Sequence, residues 1–552
     1  MTMAILVGLL LSPSLGPLDA PRNSVDLDGH IHVPALPEAR IPLPMLRGAL
    51  AIKLPVTAMP RTLSAHLGGC YVDDYYHRIH AAPEKIDVGN LAAERGYNLY
   101  VWNACFTPTV MTALEANAAH GIYLTGADTL PSTYAPLLEK TYRVIVGVAG
   151  PAVIDERVVF HFDIGSPSVH IVGNRAVPTS FVPQRDVTET LEWKTDVIRT
   201  KASEQRIALR HAPRQTFTYK YWLDERQAAR LRAMFHGWSH RVFALPVWTE
   251  GEYIGPVAKG ATEIKVSTAH ADYRVGAPVF IWQDDEANTL INVTAVSATG
   301  LTLEFPVAFE FTSAYVMPVR YAKSRGLNLT REASKRTVAE VEYWAFNGRD
   351  KFTDIKLPVY QKLPVLTDVM IHLGKHEEKI IREVATIDNE IGLIQTDPIF
   401  SHTDEHYTLS WEATNRADLW RIRQWLYSLK GRLKTFWLPT GSADLVLTQP
   451  VLAGSNIMQV RTISYSLYYT VRALQMVFRN GSIKYFTVTG SQMNGGIDNL
   501  LLSEPVTAVI MPGDVERISL MCIVRLDSDR VEIQHTENNT ATIQIPAVSV
   551  PT

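Results

Sequence analysis

His372, His376 and Glu377 are residue types that could hold a metal, because two histidines four apart share one face of a helix and can ligate zinc. The glutamate does not stand next to the first histidine, and Gly374 between the two weakens a helix. The spacing therefore predicts solvated histidines. Asp73, Asp74, His77 and His80 form a second set that a divalent ion could use, but Tyr75, Tyr76 and Ile79 interleave with them and point to a packed junction. Gly237-Trp238-Ser239-His240 places a serine near a histidine after a glycine. It lacks the second glycine of a nucleophile elbow and follows a helix rather than a strand, so it predicts a turn. Cys70, Cys105 and Cys522 are dispersed, odd in number and contain no CxxC pair, which reads as small core residues in a reducing compartment. No phosphate loop or dinucleotide fingerprint occurs. These readings predict no enzyme, no cofactor and no metal.

Glu204, Gln205, Arg206, Arg210 and Arg214 are a more specific cluster. Arginine forks pair bidentately with carboxylates, and acids and bases are mixed here rather than uniformly positive. Nucleic-acid binding favours a basic surface with stacking aromatics and few acids. The formal charge of −3 likewise gives no bulk attraction to nucleic acid or acidic membranes. The cluster predicts an ion-paired loop at a subunit interface.

The elements that must position these residues are mainly strands. A chain of 552 residues with ordinary globular composition implies roughly three to five domains. Residues 1–75 are a proline-rich arm in which long helices are excluded. The apolar run from Ala4 to Leu11 follows no Lys or Arg and is too short to span a bilayer, so it reads as a docking strand or arm rather than a signal. No other run reaches membrane-spanning length, and no membrane insertion is expected. Residues 76–170 carry closely spaced short strands, which predicts an immunoglobulin-like sandwich with Trp102 as its core anchor.

The rest of the chain reads twice. Phe243-Ala244-Leu245-Pro246 and Phe436-Trp437-Leu438-Pro439 each follow a short amphipathic helix and open a β-rich segment. Asp224 and Gln227 form a capping box ahead of Ala228, Leu231 and Phe235, with Gly237 as the stop; Asn415 caps Leu419, Ile422, Leu426 and Leu429. Downstream, Pro256 to Gly260 matches Pro450 to Gly454, and Leu301 to Val307 matches Leu500 to Val506. Collinear matches with small length changes in loops are the mark of a duplication. The first module spans 171–355 with a β-rich insertion at about 250–322, and the second 356–552 with an insertion at about 441–525. The fold class is thus mainly β, with β-sandwich and small barrel domains and a short helix in each of two tandem repeated modules. Trp437 against Ala244 predicts that the second module packs a neighbour the first does not meet, making Trp437 a candidate interface residue.

Several of these stretches also carry a family resemblance. They are Tyr76 to His80, Val88-Gly89-Asn90, Val101 to Ala104, Gly150 to Asp155, Leu191 to Val197, Glu204-Gln205-Arg206, Pro213-Arg214, Leu245 to Trp248 and Arg432 to Pro439. From about residue 70 to the C-terminus the chain resembles tail-tip and baseplate structural proteins of long-tailed bacteriophages, similar to distal tail and hub proteins. The resemblance implies a virion component, made in the host cytoplasm, that joins the tail tube to the hub and adhesion apparatus as a ring. DNA would pass through that ring without sequence-specific recognition. Some proteins at that location carry an iron–sulfur cluster on four cysteines; this chain has three, and the cluster is not carried over. Two modules per chain let three chains present six near-equivalent surfaces, so a trimer is expected, with a hexamer as the other closed ring. The alternatives are a receptor- or carbohydrate-binding tail adhesin, suited by 11 Trp and 22 Tyr, and a tail-associated cell-wall hydrolase.

Overall fold

The computed structural model describes residues 75–126, 129–333, 335–346, 355–367, 377–469, 472–536 and 540–551. The arm up to residue 74, Asp73, Asp74, Cys70, His372 and His376 lie outside the described residues. The chain divides into two compact units between Val177 and Pro178.

In the first unit, nine strands alternate apolar and polar residues and so present one face each to a common core. They are β1 (Ile79–Ala82), β2 (Lys85–Leu91), β3 (Arg95–Asn103), β4 (Thr109–Glu115), β5 (Ile122–Thr125), β6 (Ser132–Tyr134), β7 (Glu139–Val146), β8 (Val153–Phe162) and β9 (Ser168–Arg175). Two sheets result, in the orders β1-β3-β7-β5 and β2-β9-β8-β4-β6, with β2 parallel to β9. Leu99, Val101 and Asn103 are the inward residues of β3. Trp102 therefore points outward, where it stacks on His80 and donates its indole N–H to Leu137 O at 3.1 Å. The strand alternation, not the size of the ring, decides which side is core. The unit also extends past residue 170, because Arg175 at the end of β9 is buried. Its guanidinium donates to the carbonyls of Gly147, Pro151 and His120 at 3.0, 2.5 and 2.6 Å. Gly121, beside this cluster, has φ +74 and no room for a Cβ, which would lie 2.2 Å from Ala149 O. Gly121→Ala is expected to cost about 1–3 kcal/mol, read as a lower urea midpoint for this unit.

The second unit begins with the two-residue β10 (Val177–Pro178), which straddles the division, and then contains one set of elements twice. The first set is β11 (Val187–Glu192), the hairpin β12 (Thr195–Arg199) and β13 (Glu204–Ala208), β14 (Arg214–Leu223), helix α1 (Glu225–Trp238) and β15 (Phe243–Pro246). An insertion follows, made of β16 (Glu252–Val257), β17 (Glu263–Lys265), β18 (Pro278–Trp282), β19 (Asn288–Ser297) and β20 (Gly300–Leu303). The long β21 (Phe311–Ala333) leaves it and turns into β22 (Arg336–Ala345).

After a strap holding β23 (Val359–Tyr360) and β24 (Leu363–Pro364), the order repeats. It runs β25 (Glu378–Ile381), hairpin β26 (Val384–Ile387) and β27 (Gln395–Pro398), β28 (Asp404–Ala413), α2 (Arg416–Leu429) and β29 (Thr435–Pro439). The second insertion has β30 (Ile457–Arg461), the one-turn α3 (Tyr465–Tyr468), β31 (Arg472–Phe478), β32 (Ile483–Asn494) and β33 (Ile497–Leu502). The chain closes with β34 (Val515–Leu526), β35 (Arg530–His535) and β36 (Ala541–Ser549).

Registers establish the equivalence. Phe217, Tyr219 and Tyr221 of β14 pair with Tyr343, Val341 and Ala339 of β22. Leu409, Trp411 and Ala413 of β28 pair with Ile545, Ile543 and Ala541 of β36. All twelve are buried. Phe243 pairs with Ala322, and Phe436 with Val524. In the insertions, Gly260 and Gly454 each donate an N–H, to Val307 O and Val506 O respectively, at 2.8 Å. The helices follow the sequence: Asp224 and Gln227 make both bonds of the capping box, and Asn415 accepts from the Asp418 N–H at 2.9 Å. Helix α1 runs one residue past Gly237, to Trp238. Among the described residues four large cores result, one under each of α1 and α2 and one in each insertion, with a smaller one around Trp437.

Candidate interface and the junction between the repeats

Strand β11 belongs to both repeats. One edge pairs with β14 of its own repeat, and the other runs antiparallel to β35, from Val187 opposite His535 to Glu192 opposite Arg530. Its core residues divide accordingly: Val187 sits in the core beneath α1, while Leu191 and, just past the strand, Trp193 sit in the core beneath α2. The β12–β13 hairpin lies along the same seam.

The candidate cluster resolves along this seam. Glu204, almost wholly buried, accepts from Arg525 Nε and Nη2 at 2.7 and 3.0 Å, a bidentate pair to the second repeat. Arg206 Nε stands 3.5 Å from the same carboxylate. Burial pulls the Arg525 guanidinium down, but Glu204 and Asp527 more than offset it, and its pKa lies above the ordinary value. Arg210 folds back on the carbonyl of Glu192 at 2.6 Å. Gln205 and Arg214 are exposed. The expected loop is thus a strand of a hairpin, and the partner that Glu204 and Arg206 find is the same chain's second repeat. The physical reason is the duplication itself, which supplies a second module within reach of the first.

Trp437 also finds its neighbour within the chain. Its indole N–H donates to Tyr360 O at 3.0 Å, and its ring packs with Val365, Ala473 and Met521. The neighbour is the strap before the second repeat, held by Leu366 N–H to Trp437 O at 2.9 Å. The first repeat has the same feature in weaker form, with Thr179 N–H bonded to Ala244 O at 3.3 Å.

The most heavily buried polar group of the seam is one that sequence reasoning missed. Arg423 on α2 bridges two carboxylates of the first repeat. It donates to Glu250 Oε1 at 2.8 Å and makes a shorter contact with Glu189 Oε2. His535 Nε2 lies 3.0 Å from the same Glu189 oxygen, and Gln215 donates to the other at 2.8 Å. The second oxygen of Glu250 accepts the Asp272 N–H at 2.8 Å. Burial alone would raise Glu189, but Arg423 and His535 reverse this and hold its carboxyl well below the ordinary range. Burial likewise disfavours the charged Arg423, and the two carboxylates more than restore it. The signal was present: Glu189 falls in phase with Val187, Leu191 and Trp193, and Arg423 adjoins Ile422 on the apolar face of α2.

Nearby, Asp272 is buried between Arg274 and Arg320. Burial raises its pKa, and the two guanidiniums bring it down to about 2. Depressed carboxylates give stability above their unfolded pKa of roughly 4, because below it the unfolded chain takes up protons that the folded chain does not. Stability is therefore expected to be full at neutral pH and to fall as pH drops from about 4 toward 2. Urea midpoints measured across that range check this; a flat profile would contradict it.

The remaining candidates are local. His80 stacks on Trp102 and bonds Tyr75 O at 2.8 Å, and burial lowers its pKa. At the end of α1, Trp238 donates to Val242 O at 2.7 Å while Arg241, in the turn that follows, lies over its ring. Cys105 and Cys522 are free and buried, and burial pushes the Cys522 thiol up to about 12. Among the described residues no group of three His, Cys, Asp or Glu side chains gathers as a metal site, and no helix is long and apolar enough to cross a membrane.

No protein-family model and no curated protein matches the sequence. Among solved structures the chain is similar to the secreted serine protease VesC from Vibrio cholerae, at 10% identity and a TM-score of 0.17. That comparison covers 50% of this chain and 52% of the protease, so the chain spans about half the protease's length. A likeness this low carries no argument about fold or activity.

Proposed function

We propose that the protein is a structural, non-catalytic component of a bacteriophage tail tip, forming a ring of its own copies between the tail tube and the hub with its adhesion apparatus. The observation that carries this reading is the duplicated unit joined edge to edge. Two equivalent modules share one sheet through β11 and β35, with buried ion pairs along the seam. Such a chain offers a sixfold tube two nearly identical surfaces, and three chains supply six. The family resemblance of the sequence supplies the setting, which is the virion rather than the host cell. Labelling the protein in intact tails tests the reading: label at the distal end of the tube supports it. Label on fibres, or binding of the isolated chain to host glycans, would favour an adhesin instead.

A further inference from the structure

The seam within the chain uses one set of edges from each repeat, and both sets occur a second time. From the first repeat it takes the outer edge of β11 and the β12–β13 hairpin; from the second it takes the outer edge of β35. The counterparts of β11, β12 and β13 are β25, β26 and β27. The counterpart of β35 is the distal part of β21, since Leu327 pairs with Val341 as Ile533 pairs with Ile543. Among the described residues, β25 pairs only with β28, and β26 only with β27. Distal β21 pairs only with β22, leaving open the edge that β35 gives to β11.

The side chains on these second edges are those of an uncovered seam. Every residue from 382 to 399 is exposed, including Ile391 at 94% and Leu393 at 96%. Glu378 pairs with Tyr407 as Leu191 pairs with Gln215, which puts Ile380 in the place of Trp193. Trp193 is 1% exposed and Ile380 is 64% exposed. Arg232 stands eight residues after its N-cap, as Arg423 does, yet it is exposed. Charge is complementary as well. The hairpin carries Glu383, Asp388, Glu390 and Asp397 against Arg382, and the distal β21 edge carries Lys323, Arg325 and Arg331 against Glu332. Lys323, next to the residue that pairs with Phe243, is an exposed cation where this edge begins.

We propose that a second copy of this chain covers these edges: β25 and the β26–β27 hairpin of one chain dock on distal β21 and α1 of the next. The junction seen inside the chain is thereby repeated between chains. The contact is heterologous, leaving each chain one donor and one acceptor edge, and it closes when three chains place six modules in a ring. An exposed, apolar strand edge otherwise invites indiscriminate pairing. This inference rests on the ring reading above, but its test uses only the purified full-length chain.

At micromolar concentration the wild-type chain is expected to have three times its 61.6 kDa mass by light scattering. Ile391→Asp with Leu393→Asp disables the hairpin, and Lys323→Glu with Arg325→Glu disables the edge. All four positions are exposed, so each variant should keep the wild-type circular dichroism while running as a monomer. Mixed in equal amounts, the two variants retain one intact donor and one intact acceptor between them. They are expected to form a single dimer that grows no further. A monomeric wild type, variants that still assemble, or monomeric variants that fail to pair on mixing would each overturn the contact. A ring from a chain absent from labelled tails would keep the contact and sink the tail-tip placement; a monomer that labels the tail tip would do the reverse.

Discussion

Replacing Arg423 by methionine is expected to destabilise the chain by about 3–5 kcal/mol, measured as a shift of the urea midpoint for the second unit. The side chain is wholly enclosed and bonded to two carboxylates that are themselves out of water. Methionine fills much of the volume, so the loss is chiefly electrostatic: Glu189 and Glu250 remain buried, with His535 and a backbone N–H as partners in place of a cation. Protonating one carboxyl relieves the penalty, so Arg423→Met should also lessen the loss of stability on acidification. Arg232→Met is the internal control. It makes the same change at the equivalent helical position, but on a face that is exposed in the single chain, and in the dissociated chain it is expected to stay within about 0.5 kcal/mol of wild type. A similar effect for the two variants would mean that the seam is not held by its buried charges.

Local chemistry was legible in the sequence, and partnership was not. Both helices were readable because caps and apolar spacing are local properties; Asp224, Gln227 and Asn415 do what their types predict. The duplication was readable because Phe243 to Pro246 and Phe436 to Pro439 retain their residue types under similar packing. The β12–β13 and β26–β27 hairpins escaped notice as a pair, since one is half-buried against the second repeat and the other is exposed, and their residues differ accordingly. Trp102 was misread because bulk suggested core while the alternation of β3 put it outside. Glu204 was correctly marked as an ion-pairing residue, but no local signal says that its partner lies 321 positions later at Arg525. Glu189 shows the same limit. Its inward phase was visible in the strand, yet a carboxylate at a core position makes sense only once Arg423 is known to reach it.

Trp193→Ala is expected to cost about 3–5 kcal/mol, as a buried large-to-small change, and to loosen the seam between repeats rather than either repeat alone. The indole is 1% exposed, packs edge-on to Tyr427, and belongs to the core beneath α2 although its strand belongs to the first repeat. The backbone there is pinned as well: Trp193 N–H bonds Asp529 O at 2.8 Å, and Thr195 N–H bonds the Asp529 carboxylate at 2.7 Å. Strand pairing therefore holds the chain in place while the cavity opens, which leaves little room for collapse and favours the upper part of the range. Trp193→Phe separates ring from donor. Among the described residues the indole N–H has no hydrogen-bond partner, so phenylalanine removes an unsatisfied group along with some volume and should cost well under half as much as alanine. Ile380→Ala completes the comparison, because Ile380 occupies the same place in the second repeat but is exposed. In a monomer that change should be nearly silent. In the proposed ring it should weaken association while leaving the urea midpoint of the dissociated chain unchanged, and a stability loss in the monomer would show that this edge is already covered by the chain itself.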